Sequence, residues 1–334
     1  MGFLSKATVS AVGLGSKALL NLGFCSSVTV NGLGNLLKTL EDEERNRRRG
    51  IVTMSNHIST LDDPVVWGVL PARFYRDSRR TRWTLGAADI MFTNPVFSTF
   101  FRYGQVIETF RGDGIFQPAI DDAIQKLNCG EWVHLFGEGK VNQESNDIEK
   151  PNAAKLLRFK WGMCVAPSPC RLPNNALTVN HSGRILMEAQ RPPVIIPMWL
   201  TGFDKLMPEG RSFPYKFLPR AGAALSVTFG QPVPTQEIQD ALATTVEKNS
   251  VLEAPPDRSG GIPDSSTLQQ ELRSAPVVGQ GWLSNPVQAA GDLPAADAED
   301  AARRAIEVGR VRSAVTAVIQ RRVEALGRQV LGIQ

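Results

Sequence analysis

The sequence has few of the residues that build metal sites or disulfide frameworks. It contains three histidines and four cysteines among 334 residues, and no CxxC pair or Cys/His cluster has the spacing of a zinc site. Four cysteines in a chain of this length are also too few for a disulfide scaffold. We therefore expect no metal site. We also predict that the activity uses no cofactor.

Long apolar runs and a large charge excess are also absent. A membrane-spanning helix needs about 18 or more consecutive apolar residues, and Lys17 interrupts the best candidate near the N-terminus. The net charge of +4 comes from 37 basic and 33 acidic residues, a balance that does not fit a nucleic-acid-binding protein. Hydrophobic residues make up 42% of the chain, which excludes disorder throughout. The composition predicts a globular protein that is soluble or lies on a membrane surface.

The two ends of the chain differ from its middle. Residues 1–40 contain three lysines and no acidic residue, which fits either a buried first helix or a weakly amphipathic segment in a membrane interface. Residues 246–296 are rich in proline and glycine without a sustained period, and they are predicted to form a flexible linker. Residues 297–332 place apolar side chains at steps of three and four, with Arg312 and Arg322 off that stripe. This pattern predicts an amphipathic C-terminal helix, either docked on the core or leaning on anionic lipid.

Short apolar runs alternate with helical patterns between these ends. The predicted strands are residues 51–56, 132–136, 194–200 and 224–229, and the predicted helices are residues 62–70, 116–127 and 153–159. Strands that alternate with helices predict an α/β sheet whose reactive loops lie at the strand ends.

His57 is the histidine with a catalytic setting. His134 lies in the middle of an apolar strand, where a structural role is expected, whereas His57 stands at a strand-to-helix turn five residues before Asp62. On such a turn the carboxylate can return to the imidazole, hold Nδ1–H and leave Nε2 to take a proton from an attacking hydroxyl. The HxxxxD spacing alone also occurs by chance, in which case Asp62 simply caps His57.

Further motifs follow His57 in a specific order. They are Ile107-Glu-Thr-Phe-Arg-Gly112, Phe136-Gly-Glu-Gly-Lys-Val-Asn142 and the apolar run that ends at Pro197. In this order and spacing they resemble the four motifs of the glycerolipid acyltransferase family. The resemblance covers about residues 20–240. The proline-rich segment and the long C-terminal helix resemble the extension of fungal members.

Five segments resemble one branch of that family, a mitochondrial phospholipid–lysophospholipid transacylase. They are residues 55–64 (SNHISTLDDP), 82–90 (RWTLGAADI), 130–136 (GEWVHLF), 138–142 (EGKVN) and 157–162 (LRFKWG). The resemblance implies a glycerol-3-phosphate acyltransferase-like mixed sheet flanked by helices, with the acyltransferase domain at residues 41–240. It also implies CoA-independent exchange of acyl chains between phospholipids and lysophospholipids, including cardiolipin and lysocardiolipin. The expected location is the mitochondrion, on outer and inner membranes facing the intermembrane space.

Two other functions are compatible with parts of this pattern. An acyl-CoA-dependent lysophospholipid acyltransferase would use the same His-Asp pair, so the motifs do not separate it from the transacylase. A non-catalytic lipid-binding module with this fold would be expected to have lost His57, Asp62 or Arg111, and the sequence has all three. Nucleic acid is not an expected partner.

The resemblance also implies roles for individual residues. His57 is the general base and Asp62 orients it. Arg111 binds the lipid phosphate, for which a guanidinium offers paired donors, and Gly112 lets the backbone approach that group closely.

The third motif is expected to shape the phosphoglycerol site. Glu138 and Gly139 line that site, and Lys140 adds positive charge. A carboxylate is not a direct ligand for a phosphate, so Glu138 is expected to orient Arg111 or a glycerol hydroxyl. The family usually reads Phe-Pro-Glu-Gly here, and Gly137 in place of the proline predicts a less pre-organised loop.

Residues 88–104 are a second candidate for membrane contact. Large apolar side chains are concentrated at 90–92 and 96–101, next to Arg102. A buried core helix has a similar composition. Because both substrates of a transacylase carry acyl chains in a bilayer, we expect a monotopic, partly inserted hairpin here.

Residues 163–182 interrupt the family pattern. In the family, the Trp-Gly that ends the LRFKWG segment is followed within a residue or two by Gly-Arg and a helix. In this sequence the corresponding Gly-Arg is Gly183-Arg184, so residues 163–182 lie between the two. The intervening residues include two of the four cysteines and three prolines. They are either a natural insertion loop or, by our hypothesis, a translated intron, since the codons are compatible with donor, branch and acceptor sites.

The intron hypothesis predicts that transcripts lack the codons for residues 163–182. Splicing would join Gly162 to Gly183 and restore the family pattern. Sequencing the cDNA tests this, and a set of transcripts that all retain these codons would show a genuine insertion.

Overall fold

The computed structural model describes residues 2–43, 47–111, 113–114, 116–150, 153–159, 181–241 and 298–333. The predicted linker at 246–296 lies outside the described residues. So do Gly112 and nearly all of the insertion at 163–182.

Seven strands form one mixed sheet. In chain order they are β1 (Ser27–Asn31), β2 (Ile51–Ser55), β3 (Arg82–Ala87), β4 (Val106–Thr109), β5 (Trp132–Phe136), β6 (Val194–Thr201) and β7 (Ala224–Phe229). Their spatial order is β1-β7-β6-β2-β5-β3-β4. Strands β6, β2, β5, β3 and β4 are mutually parallel, and β7 pairs with β6 in the antiparallel direction. The carboxyl ends of the five parallel strands therefore lie at one edge of the sheet.

The central strands are apolar because both faces of the sheet are covered. Every residue of β2 and β5 is buried, as expected for parallel strands enclosed by helices. The sequence reading missed β1, β3 and β4. Strand β1 lies at the edge of the sheet with most of its residues exposed, so it lacks the apolar run that marked the central strands.

Helices cover the sheet on both sides. Their bounds are α1 (Phe3–Asn21), α2 (Leu33–Glu41), α3 (Asp62–Val66), α4 (Ala88–Met91), α5 (Pro95–Tyr103), α6 (Pro118–Asn128), α7 (His181–Met187), α8 (Phe203–Leu206) and α9 (Ala298–Leu331). Side chains of α6, α7 and α9 form one apolar core, and those of α1, α2 and α3 form the other. This arrangement confirms the predicted α/β class. No helix in the described part of the chain is both long enough and apolar enough to cross a bilayer.

The C-terminal helix α9 packs against the core. Its residues Val315, Val318, Ile319 and Val323 are fully buried. Arg312, which the helical pattern placed off the apolar stripe, is also buried. Its guanidinium donates to Glu188 Oε1 over 2.8 Å. Because this ion pair satisfies the charge, an arginine occupies the core-facing side of the helix.

The prediction of a helix at residues 153–159 is wrong, because this segment has no helical structure. Its backbone N–H groups have partners elsewhere in the fold. Leu156 N–H donates to Glu324 Oε1 over 3.0 Å, and Phe159 N–H donates to Gln320 Oε1 over 3.2 Å. Side chains of α9 therefore take the donors that a local helix would use.

Candidate active site

His57 and Asp62 are brought together as the spacing predicted. Strand β2 ends at Ser55, and the turn that follows carries His57 to the start of α3. His57 Nδ1 lies 3.0 Å from Asp62 Oδ2, and the His57 side chain is 22% exposed while that of Asp62 is fully buried. Since a carboxylate accepts hydrogen bonds, the Nδ1 atom carries the proton and the partly exposed Nε2 is the basic atom.

Asp62 is fixed by backbone donors from its own turn. Its Oδ2 atom also accepts from the N–H groups of Ile58 (2.7 Å) and Ser59 (2.8 Å). Burial raises the pKa of Asp62, while the hydrogen bonds from His57, Ser59 and Ile58 act in the opposite direction. The turn thus supplies donors to Oδ2 alone, and the buried Oδ1 atom has no hydrogen-bond partner among the described residues. Burial outweighs these donors, so the pKa of Asp62 is raised overall.

The ring of His57 is oriented by an aromatic neighbour. It stacks on Phe136, with 4.2 Å between ring centroids and 26° between planes. Phe136 also meets the buried His134 edge-on at 4.5 Å. His134 Nδ1 lies 2.8 Å from Thr53 Oγ1, and burial lowers the pKa of His134 to about 3. His134 is therefore a neutral residue of the β2–β5 interior.

Glu138 connects the histidine turn to two other segments. It is 4% exposed. Its Oε1 atom accepts from His57 N–H over 3.0 Å, and its Oε2 atom accepts from Asn142 Nδ2 (2.6 Å) and Leu157 N–H (3.0 Å). Asn142 N–H in turn donates to His57 O over 2.6 Å. Burial raises the pKa of Glu138, and these three donors partly offset that effect.

Of the two roles expected for Glu138, the contact with Arg111 is not formed, and the contact with a glycerol hydroxyl stays a prediction. Arg111 lies at the end of β4 and is half-exposed, and its Nη1 atom is 3.4 Å from Asp89 Oδ2, an equally exposed carboxylate. Glu138 instead faces the backbone of the histidine turn. A pair of exposed charges at this distance adds little stability, so Arg111 can exchange Asp89 for another anion.

Gly137 is close to Phe159, which explains the absence of a bulkier residue there. A Cβ atom at position 137 would lie 2.6 Å from the Phe159 ring, and Phe159 is buried. The expected loss of pre-organisation is thus opposed by direct packing on the glycine. Gly139 adopts a φ of 68°, a left-handed conformation that glycine allows without strain.

A pocket of about 910 Å³ opens beside the His-Asp pair. His57, Arg111, Gly139 and Lys140 lie in its wall. Most of the remaining wall is apolar and comes from α1, α3, β3, α4, α5 and β4, with Val9, Leu70, Leu85, Ile90, Phe101 and Val106 among its residues. Four of the six predicted site residues that the structure describes therefore line one apolar pocket. The other two, Asp62 and Glu138, contact His57 without lining that pocket.

The sequence reading assigned no role to a buried ion pair next to this pocket. Asp63 accepts from Arg82 at both carboxylate oxygens and from Trp67 Nε1 over 3.1 Å. Burial alone would raise the pKa of Asp63, but the charge and hydrogen bonds of Arg82 lower it overall. Arg82 also donates to Gly104 O over 3.0 Å. Two features of the sequence could have indicated this ion pair: Asp63, the second aspartate after His57, and Arg82, the first residue of the RWTLGAADI segment.

Comparison with known proteins finds a matching family model and several relatives of similar sequence. A family model described as "Acyltransferase" matches residues 37–200. A tafazzin of Dictyostelium discoideum is 34% identical over 235 residues, which cover 69% of this chain and 70% of that protein. The tafazzin of Drosophila melanogaster is 35% identical over 230 residues, covering 69% of this chain and 51% of that protein. An N-acylphosphatidylethanolamine synthase of Arabidopsis thaliana is 32% identical over 235 residues, covering 70% and 71%.

These similarities confirm the acyltransferase predicted from the motifs. The identity extends over about two thirds of the chain, well beyond the segments that carry the motifs. The chain is an acyltransferase and belongs to the tafazzin family.

Proposed function

We propose that this enzyme moves acyl chains from phospholipids to lysophospholipids without acyl-CoA, and that cardiolipin and lysocardiolipin are among its substrates. The observation that carries the proposal is a His-Asp pair at the mouth of an apolar pocket whose rim also holds Arg111 and Lys140. Apolar walls fit an acyl chain, and cations at the rim fit the phosphate of a lipid headgroup. The tafazzin relatives support the CoA-independent reaction over its acyl-CoA-dependent alternative.

His57 is the general base of this reaction. Its Nε2 takes the proton of the lysophospholipid hydroxyl as that oxygen attacks the ester carbonyl of the donor lipid. When the donor ester bond breaks, the same proton passes to the departing glycerol oxygen. Asp62 holds the Nδ1 proton and stabilises the imidazolium that exists between these two transfers.

Arg111, Gly112 and Lys140 form the phosphate-binding group. Arg111 releases its exposed contact with Asp89 and binds the phosphate with two donors. Lys140 lies in the wall of the same pocket and adds a second positive charge. Glu138 shapes this site through the backbone of the histidine turn, and Gly139 allows the tight turn that presents Lys140.

The enzyme binds to membranes through the helices beside the pocket. Helix α5 has no buried residue, and Val96, Phe97 and Phe100 are exposed on it, as is Ile90 on α4. Helix α1 lies against α5, with Ser5 Oγ donating to Tyr103 O over 2.7 Å, and it exposes Phe3, Leu4 and Leu14. Exposed apolar side chains around a lipid pocket fit a protein embedded in one leaflet. The membranes are those of the mitochondrion, outer and inner, on the side of the intermembrane space.

A transacylation assay without acyl-CoA tests the reaction. Labelled lysocardiolipin or lysophosphatidylcholine is incubated with a phospholipid donor. We expect the label to appear in fully acylated cardiolipin or phosphatidylcholine at the same rate whether or not acyl-CoA is added. The His57→Ala variant is expected to lose about 10²- to 10⁴-fold in rate, the usual contribution of a general base, with vesicle binding unchanged.

Three results would contradict the proposal. A strict requirement for acyl-CoA would establish the alternative enzyme, and undiminished turnover by His57→Ala would remove the base. Accumulation of N-acylphosphatidylethanolamine from a phosphatidylethanolamine acceptor would show that an amine, and not the glycerol hydroxyl, is acylated.

The role of Glu138 is tested by Glu138→Gln. The amide places an N–H group where one carboxylate oxygen accepts hydrogen bonds, which disturbs the turn that carries His57. We expect kcat to fall about 10- to 100-fold with little change in KM for the lysophospholipid. Glu144→Gln, an exposed carboxylate nearby, is the control and should keep full activity. A rise in KM at constant kcat would instead indicate direct substrate contact by Glu138.

A further inference from the structure

A loop on the far side of the pocket from α5 exposes aromatic and basic side chains. In this loop, residues 211–220, Phe213 is 76% exposed, Tyr215 is 63% exposed and Leu218 is 54% exposed. Lys216 and Arg220 are exposed beside them. Aromatic side chains combined with lysine and arginine are typical of surfaces that meet the headgroup region of an anionic membrane. We refer to residues 211–220 as the aromatic loop.

The sheet places the aromatic loop at the edge that carries His57. It follows β6, which is parallel to β2, so both strands end at the same edge. Helices α4 and α5 follow β3 at that edge as well. In the strand order β6-β2-β5-β3 the His57 turn lies after β2. The aromatic loop and α5 therefore flank the catalytic turn from opposite sides.

Hydrogen bonds fix the start of the loop to the catalytic turn. Gln143 Nε2 donates to Ile58 O and to Met207 O, each over 3.1 Å, and Gln143 Oε1 accepts from Glu209 N–H over 3.2 Å. Within the loop, Arg211 donates to Pro208 O (3.2 Å) and Leu218 O (2.8 Å). The Arg211 side chain thus braces the backbone of the loop, and Phe213, Tyr215 and Leu218 are exposed on it.

We propose that the aromatic loop is a second membrane-docking surface, which binds the surface of an anionic phospholipid bilayer and, together with α5, turns the pocket mouth toward the lipid. Phe213, Tyr215 and Leu218 enter the interfacial region, and Lys216 and Arg220 attract the anionic headgroups. This inference rests on the proposed membrane-bound function and adds a contact that the sequence did not predict.

Vesicle co-sedimentation tests the docking surface. Phosphatidylcholine vesicles with and without cardiolipin are mixed with the full chain and with Phe213→Ser/Tyr215→Ser/Leu218→Ser. A second variant is Lys216→Glu/Arg220→Glu. Its control is Arg321→Glu/Arg328→Glu, which makes the same change of charge at exposed positions of α9. We expect both loop variants to bind cardiolipin vesicles at least about tenfold more weakly, and the α9 variant to lose less.

The outcomes separate the loop from the proposed function. A Phe97→Ser/Phe100→Ser variant reports on α5. If it binds more weakly while both loop variants bind normally, the docking role of the loop is overturned. If all variants bind normally, the membrane orientation of the proposed function fails with it. Activity on short-chain substrates in detergent should be unchanged in the loop variants. A loss of that activity would show that the substitutions disturb the active site, and would overturn a role of the loop in docking alone.

A separate set of contacts connects α9 to the active site. Glu324 Oε1 accepts from Leu156 N–H over 3.0 Å and from Gln320 Nε2 over 3.0 Å, and Gln320 Oε1 accepts from Phe159 N–H. Between these anchors, Leu157 N–H donates to Glu138 Oε2, whose partner oxygen accepts from His57 N–H. The segment 153–159 is therefore held on one side by α9 and on the other by the carboxylate that fixes the histidine turn.

We infer that Glu324 and Gln320 are positioning residues for His57, acting through segment 153–159 and Glu138. Glu324→Leu removes an acceptor from two partly buried donors and should lower kcat about tenfold at unchanged KM. Glu324→Gln keeps an acceptor oxygen and should restore most of that loss. The control is Arg322→Gln on the same helix, which removes only an exposed ion pair with Glu237.

Kinetics and thermal unfolding together decide this inference. Wild-type kcat in Glu324→Leu would overturn it. The inference would also be overturned if kcat fell in proportion to the unfolding temperature in Glu324→Leu, Glu324→Gln and Arg322→Gln alike, with no rescue by Glu324→Gln. That result would indicate a purely structural role for the helix.

Discussion

The Glu138 carboxylate is the contact on which the geometry of the active site depends. It accepts a hydrogen bond from the backbone of His57, which is 81 positions away, and others from Asn142 and Leu157, which are 4 and 19 positions away. A buried carboxylate is stable only when donors satisfy its oxygens. Because the buried Glu138 needs all of these donors, the segments that supply them are held in one arrangement. His57 acquires its position relative to the pocket because its own N–H is one of those donors.

Similar reasoning accounts for the other buried charges near the pocket. Asp62 Oδ2 accepts from two N–H groups of its turn and from His57, whereas the buried Oδ1 atom has no partner among the described residues. Asp63 is paired with Arg82, which also reaches the backbone at the end of α5 through Gly104. Adjacent aspartates thus have different partners: Asp62 holds the ring of His57, and Asp63 attaches α3 to the strand that precedes α4 and α5. The pair Arg111–Asp89, in contrast, is exposed and weak, which is compatible with the phosphate contact that we propose for Arg111.

Much of the core fold and the contact between His57 and Asp62 could be predicted from local patterns. The strands at 51–55 and 132–136 have continuous apolar runs, and the turn after β2 brings Asp62 back to His57 over only five residues. Segment 153–159 was misread as a helix because its apolar spacing does not reveal that Glu324 and Gln320 accept its N–H groups. Strand β1 was missed because an exposed edge strand has no apolar run to detect. The aromatic loop was overlooked because its significance comes from the sheet edge at which it lies.

The sequence by itself determined the acyltransferase chemistry, the HxxxxD pair and the alternation of strands and helices, since each of these depends on residues close together along the chain. Only the tertiary structure decided what Glu138 binds, which side chains of α9 enter the core and which surfaces flank the pocket. These features join residues separated by up to 168 positions, as in the bond from Leu156 to Glu324. No local pattern encodes such pairs, because they form only when the parallel strands bring their carboxyl ends to a common edge and both faces of the sheet are covered.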